Sequence, residues 1–285
     1  MDAHVHALTP GDGLRRMWLE DSFPGLGDTA PLRGVEWGPE RLAAEMDGFG
    51  VAALVHVQSA DQVDAVAETR WLAGLAPDWP QLRAIVGAGQ LTSPRLEAEL
   101  EEHLEATPLL RGIRDLSFDL DPVLGPDELE PGLRALARRE LAWEVTSPWQ
   151  GMATVRECAR RFEELPVMLV HLGVPPVDPE GRRRWERATA ELAEAPNAQV
   201  KISGLGMADH QLRPEASRPA IEHCLAEFGP RRCIWGSNFP VDWLYGSYRD
   251  GLELVLEAVA GAGLTAAERT EVFGGAATRF YRLGS

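Results

Sequence analysis

Eight short apolar runs, each followed by a longer amphipathic stretch, constrain the fold of this chain more than any other feature. The runs are Asp2–His6, Ala52–Gln58, Arg83–Gly87, Gly112–Ser117, Leu141–Thr146, Val167–His171, Gln199–Ser203 and Cys233–Ser237. Helical patterns lie between them at Asp61–Leu75, Arg95–Glu105, Glu128–Arg139, Thr154–Leu165, Glu180–Glu194 and Glu215–Phe228. A last one, Ala266–Tyr281, closes the chain. Parallel strands need long crossovers, usually helical, so this alternation predicts a parallel sheet with helices outside it. Eight such units close a (β/α)₈ TIM barrel, whose usual size of about 250 residues suits one domain over 1–285. A doubly wound open sheet is the competing architecture, and the strand count favours the barrel. The Pro- and Gly-rich stretch from Thr9 to Pro39 reads as a long loop on the catalytic face.

Side chains alternate across a strand, so each run can be asked which residues share a side. Asp2, His4 and His6 share one in the first run. In the second, Ala53, Val55 and Val57 read as the outer face, which leaves His56 and Gln58 inward. Arg114, Glu144, His171, Lys201, Ser203 and Asn238 stand at or near the ends of later runs. An ordinary core would not place groups that are costly to bury at so many strand ends. Their convergence predicts an active site at the strands' C-terminal ends.

His4-Val5-His6 is the sharpest local signal, since this spacing brings two imidazoles near enough to share a metal ion or a substrate oxygen. Blander roles exist for several of these groups. His56 reads more readily as a core histidine than as a catalyst. Lys201 and Glu144 are either a structural ion pair or substrate binders. Gln58 reads as a site-lining hydrogen bonder, and Trp18, Trp37 and Trp149 as pocket walls or packing. His103, His210 and His223 are expected at the surface.

Lys and Arg number 28 against 44 Asp and Glu, a net charge of −16. That balance argues against nucleic acid or an anionic membrane as partner and leaves a small molecule. No apolar run approaches the roughly 20 residues of a membrane span. The first residues show no basic-then-apolar leader, so a cytoplasmic protein is expected. A homo-oligomer is compatible with the sequence. Cys158, Cys224 and Cys233 lack metal-type spacing and are expected as reduced thiols.

Taken in order, several short motifs resemble the amidohydrolase superfamily. They include Asp2-Ala3-His4-Val5-His6, Val57-Gln58 with Glu68-Thr69-Arg70-Trp71-Leu72, and Arg111-Gly112-Ile113-Arg114. His171-Leu172-Gly173, Lys201-Ile202-Ser203-Gly204-Leu205 and Trp235-Gly236-Ser237-Asn238-Phe239-Pro240-Val241 follow, and the ending Phe273 to Tyr281 also fits. The likeness is to the amidohydrolase-2-like group, which includes sugar-lactone and 2-pyrone-4,6-dicarboxylate lactonases. It implies a hydrolase in which His4, His6 and His171 position and polarise a carbonyl. Arg114 would anchor an anionic or carbonyl group, with Gln58, Glu144 and Lys201 lining the substrate site.

One departure stands out. The group usually carries Asp where this chain has Asn238, and an amide cannot act as a general base near neutral pH. Asp242 is the expected replacement; His171 and a disabled variant are the alternatives. No cofactor is expected to be required, although a single Zn²⁺ on His4, His6 and one further ligand is compatible with the motif. The predicted reaction is hydrolysis of a small cyclic ester. A zinc-dependent decarboxylase and a non-catalytic ligand-binding barrel are the rivals.

Overall fold

The computed structural model describes residues 1–20, 25–115 and 124–284. Eight parallel strands pair in chain order: β1 (Asp2–Val5), β2 (Leu54–Val57), β3 (Leu82–Ala88) and β4 (Leu110–Arg114), then β5 (Ala142–Val145), β6 (Val167–Leu169), β7 (Ala198–Ile202) and β8 (Cys233–Trp235). The expected (β/α)₈ barrel is therefore the observed fold. The seam between β1 and β8 is drawn together by two backbone bonds. His6 N–H donates to Phe239 O (2.7 Å), and Asn238 N–H donates to His4 O (2.8 Å). The buried Asp2 carboxylate reinforces it by accepting Ser237 N–H (2.8 Å) and Tyr248 O–H (3.1 Å).

Helices α1 (Met17–Glu20) and α2 (Pro39–Glu45) follow β1. The crossovers after β2 to β7 are α3 (Ala65–Leu75), α4 (Leu96–Ala106), α5 (Pro126–Arg138), α6 (Met152–Arg161), α7 (Pro179–Ala193) and α8 (Pro214–Phe228). Then come α9 (Tyr248–Gly261), α10 (Ala266–Thr270) and α11 (Ala276–Phe280). Pattern reading did not single out α2 or α9. The former starts at Pro39, where a proline belongs in a first turn; the latter starts at Ser247, whose side chain caps Asp250 N–H. The continuous helix expected over Ala266–Tyr281 is broken by a wide turn at Glu271–Gly275. Strand ends expected at His6, Gln58, His171, Ser203 and Ser237 fall earlier, because those residues leave the ladder to enter the loops. Ser117 lies outside the described residues.

Alternation sorts the apolar side chains into two layers. Val5, Leu54, Ile85, Ile113, Trp143, Val167, Val200 and Trp235 face the helices and pack on residues such as Leu72, Leu133, Trp185 and Val255. Ala3, Val55, Val57, Ala84, Val86, Ala142, Met168, Val170 and Ile234 fill the barrel with Ala276, Ala277, Phe280 and Tyr281. Helix α11 thus plugs the strands' N-terminal end, where Met1 N donates to Phe273 O and Arg282 reaches Glu140 O.

This layering corrects the reading of β2. Val55 and Val57 point inward, so His56 faces outward, on the side of Leu54. Alternation distinguishes two faces of a strand but does not say which is interior when the barrel's lower layers are themselves apolar. Asp2 also departs from the expectation. A register irregularity between Asp2 and Val5 separates its carboxylate from the side of His4 and His6 and gives it to Tyr248.

Candidate active site

At the C-terminal end of β1, His4 Nε2 and His6 Nε2 lie 3.2 Å apart. His6 Nδ1 is 2.8 Å from Val57 O, and because a carbonyl only accepts, that nitrogen carries the hydrogen. Its Nε2 is then a lone pair facing the site. His171 brings its ring centroid to 4.7 Å from that of His4. It sits in a run of left-handed backbone, with φ of 55° at His171, 55° at Leu172, 70° at Gly173 and 49° at Val174. Such a run is costly unless its surroundings hold it. Trp185 of α7 does so by donating its indole N–H to Leu172 O at 2.7 Å. Ser203 Oγ lies 2.9 Å from His171 Nδ1. Gly204, at φ +61°, could not be replaced without displacing that ring, since a Cβ there would stand 2.6 Å from His171 Nδ1.

Arg114 ends β4 and donates from Nη2 to Thr146 Oγ1 at 3.0 Å. Below it, Glu144 and Lys201 form an ion pair of 2.7 Å in which neither side chain has any exposed surface. Tyr281 donates its hydroxyl to the second Glu144 oxygen from the plug beneath. The pair forms the floor of the site. Gln58 does not join the histidines; it is buried beyond the end of β2, where its side-chain amide Nε2 donates to Ala60 O at 2.5 Å. Asn238 takes a left-handed conformation (φ 59°), which asparagine tolerates better than most residues. Its Oδ1 lies 3.2 Å from His6 Nε2, and its Nδ2 donates to Asp242 Oδ1 at 2.8 Å. Asp242 Oδ2 accepts Leu205 N–H at 2.9 Å.

The expected set His4, His6, Arg114, Glu144, His171, Lys201, Asn238 and Asp242 is therefore gathered at one end of the barrel. Several supporting residues escaped the sequence reading. Ser203, Gly204 and Tyr281 sit inside motifs it quoted, but only the fold shows whom they touch. Glu68, another motif residue, is a loop clamp: it is buried and accepts Ser59 N–H (3.0 Å) and Ala60 N–H (3.0 Å). Arg16 from the long β1 loop reaches the same Ser59 through Nε (3.1 Å) and pairs with Asp12 at 2.9 Å. His103, expected at the surface, is buried between Thr69 Oγ1 (2.8 Å) and Ala88 O (3.1 Å), joining α3, α4 and β3. His223 is half-buried on Thr189 Oγ1 at 2.9 Å; His210 is exposed as expected. Trp37 is wholly buried against Phe239 and Trp243 and is core.

Electrostatics keep the site histidines neutral. Burial pushes His4 and His171 well below the usual 6.5, helped by Lys201 for the former and Arg114 for the latter. Burial, with Arg114, takes His6 down to about 4. Loss of water raises Asp242 to about 7 against the hydrogen bonds from Asn238 and Leu205. His4, His6, His56, His103 and His171 stay unprotonated in the fold below pH 6.5, whereas the unfolded chain takes up those protons. Stability must then fall as pH drops from 6.5 towards 4, by up to about 1.4 kcal/mol per group per pH unit. Asp242, Asp2 and Glu68, raised by burial, act in the opposite sense: the fold holds their protons where the unfolded chain releases them. Five imidazoles outnumber three carboxyls, so the denaturant midpoint should be lower at pH 5 than at pH 7. An equal or higher midpoint at pH 5 would show that the carboxyls dominate.

The zinc implied by the motif can be tested against the donors. An edge of 3.2 Å between the two Nε2 atoms suits neighbouring ligands on a tetrahedral ion with bonds of roughly 2.0–2.1 Å. The next donor beside His6 Nε2, however, is the neutral amide oxygen of Asn238, at 3.2 Å. Among the described residues no cluster of three or more His, Cys, Asp or Glu could hold an ion. This donor set does not fit a tightly held zinc.

The sequence profile described as Amidohydrolase matches residues 1–283. An L-fucono-1,5-lactonase of Burkholderia ambifaria is 32% identical over 293 residues, which cover 99% of this chain and 95% of that protein. An amidohydrolase of Burkholderia multivorans, crystallised with bound HEPES, is 27% identical and superposes with a TM-score of 0.82 over 99% of each chain. Its second crystal form, with bound zinc, gives a TM-score of 0.81 with the same identity and coverage. Motif order, barrel and full-length match agree that the chain belongs to the amidohydrolase family.

Proposed function

We propose that this enzyme hydrolyses a sugar lactone, a neutral cyclic ester of the kind named for its L-fucono-1,5-lactonase relative. The observation that carries the reading is the convergence of three neutral imidazoles, His4, His6 and His171, beside Arg114 at the strand ends. Neutral imidazoles can donate to a carbonyl oxygen on one side and accept a water proton on another.

In this mechanism His171, its Nδ1 held by Ser203, turns an Nε2–H towards the lactone carbonyl, and Arg114 adds a second donor group. A water held at the His4–His6 edge attacks the carbonyl carbon. Its proton is taken up at the His6 Nε2 lone pair and returned to the ring oxygen as the C–O bond breaks. Lactone and water thus give one hydroxy acid. Asn238 orients the water, and Asp242 supports Asn238. Glu144 and Lys201 shape the floor, and Gln58 holds the β2 loop.

Charge supports a neutral substrate over a dicarboxylate. Lys201 is neutralised by Glu144 at 2.7 Å and Arg16 by Asp12 at 2.9 Å, so neither is available to a second carboxylate. The test is a panel of aldonolactones beside 2-pyrone-4,6-dicarboxylate, each assayed with and without a chelator. Aldonolactone turnover that survives chelation is expected. Turnover of the pyrone alone would reverse the substrate reading, and activity lost with about one zinc per chain would assign the water to a metal.

A further inference from the structure

Asn238 stands between His6 and Asp242, and its amide could face either way. The side chain is almost wholly buried (1% exposed), and its Nδ2 lies 3.5 Å from the Met207 sulfur. The two ends of an amide are nearly the same size, so hydrogen-bond partners decide which end faces His6. At position 242 the partner is a carboxylate, which when ionised only accepts. One of its oxygens is taken by Leu205 N–H at 2.9 Å, and the other draws the Asn238 NH₂ at 2.8 Å. The Asn238 oxygen is thereby left 3.2 Å from His6 Nε2.

We propose that Asp242 is a positioning residue that aims the Asn238 carbonyl oxygen at the His6 edge of the site and does not itself touch water or substrate. The proposal rests on the hydrolytic reading and refines it. His6 Nε2 is a lone pair, because Nδ1 carries the ring hydrogen towards Val57 O. With its oxygen forward, Asn238 can accept one O–H of a water while the other O–H points at that lone pair. With its NH₂ forward, it would donate to the lone pair and occupy the position the water's proton requires. An ionised carboxylate at 242 excludes the second arrangement; once protonated, as burial favours from about pH 7 downward, it can donate and the exclusion is lost.

The test is a substitution series assayed on whichever lactone the wild type turns over. Asp242→Asn can still accept Leu205 N–H through its oxygen, but its NH₂ then faces the Asn238 NH₂ and turns that amide round. The kcat should fall about 100-fold, the lower range for disabling proton transfer, with KM changed only a few-fold. The double exchange Asn238→Asp with Asp242→Asn puts an acceptor against His6 and a donor behind it. It should recover to within about 10-fold of the wild type. A wild-type rate in Asp242→Asn overturns the proposal. So does a folded double variant as slow as the single one, which would give Asp242 a direct part in proton transfer. Nuclear Overhauser contacts of the Asn238 NH₂ read the orientation without turnover. Contact with the His6 ring in the wild type would refute it. Wild-type protein inactive on every lactone, with the NH₂ facing Asp242, would instead count against the hydrolytic reading while upholding the orientation.

Discussion

His171→Ala is expected to lower kcat by about 10²–10³-fold, the usual effect of deleting one preorganised donor to a developing oxyanion. The ring is buried, neutral and held in a strained turn, so its orientation is fixed before substrate arrives. Since the interaction strengthens as charge builds on the carbonyl oxygen, kcat should fall far more than KM rises. Ser203→Ala releases Nδ1 without removing the ring and should give a smaller loss, about 10-fold, through the tautomer that faces the pocket. Steady-state kinetics on the best lactone decide the matter. A His171→Ala enzyme within about five-fold of the wild type would remove this residue from carbonyl polarisation.

Glu144→Leu should be the most destabilising single change in the barrel, costing about 3–5 kcal/mol, because it strands a charged ammonium in the interior. Lys201 has no exposed surface, and Glu144 Oε2 lies 2.7 Å from its ammonium. Its other close neighbour below is the Tyr281 ring, 5.6 Å from the ammonium nitrogen, a weaker source of stabilisation. Removing both charges with Glu144→Leu and Lys201→Met should recover most of the loss, since well-packed apolar replacements of buried ion pairs are often neutral. Denaturant midpoints of the two variants check this. Equal midpoints would show that the stranded ammonium is not the source of the loss.

Much of this arrangement could be read from the amino acids, for identifiable reasons. Eight periodic runs fix a parallel barrel because parallel strands must be bridged by crossovers, and polar residues at strand ends stand out against apolar neighbours. His4, His6, Arg114 and His171 were legible on that ground. The orientation of β2 was not, because Val55 and Val57 suit an inner layer and an outer one equally. Asp2 was misplaced by a local irregularity that leaves no mark in the residue pattern. Tyr281 reaching Glu144 and Trp185 bracing the His171 turn depend on contacts across 137 and 13 positions, which periodicity does not encode.

The seam where β1 meets β8 has a consequence for how this enzyme comes into being. His6 and Asn238 touch across 232 positions of sequence, so one part of the site is synthesised long before the other. Bringing such distant segments together carries the entropy of closing a very long loop, and contacts of this range form late in folding. On the ribosome, the two histidines of β1 emerge early and wait for β8 without their partner. A chain released before that strand has no seam, and therefore no contact between His6 and Asn238. The site is therefore incomplete until β8 joins β1, however early the other strands pair.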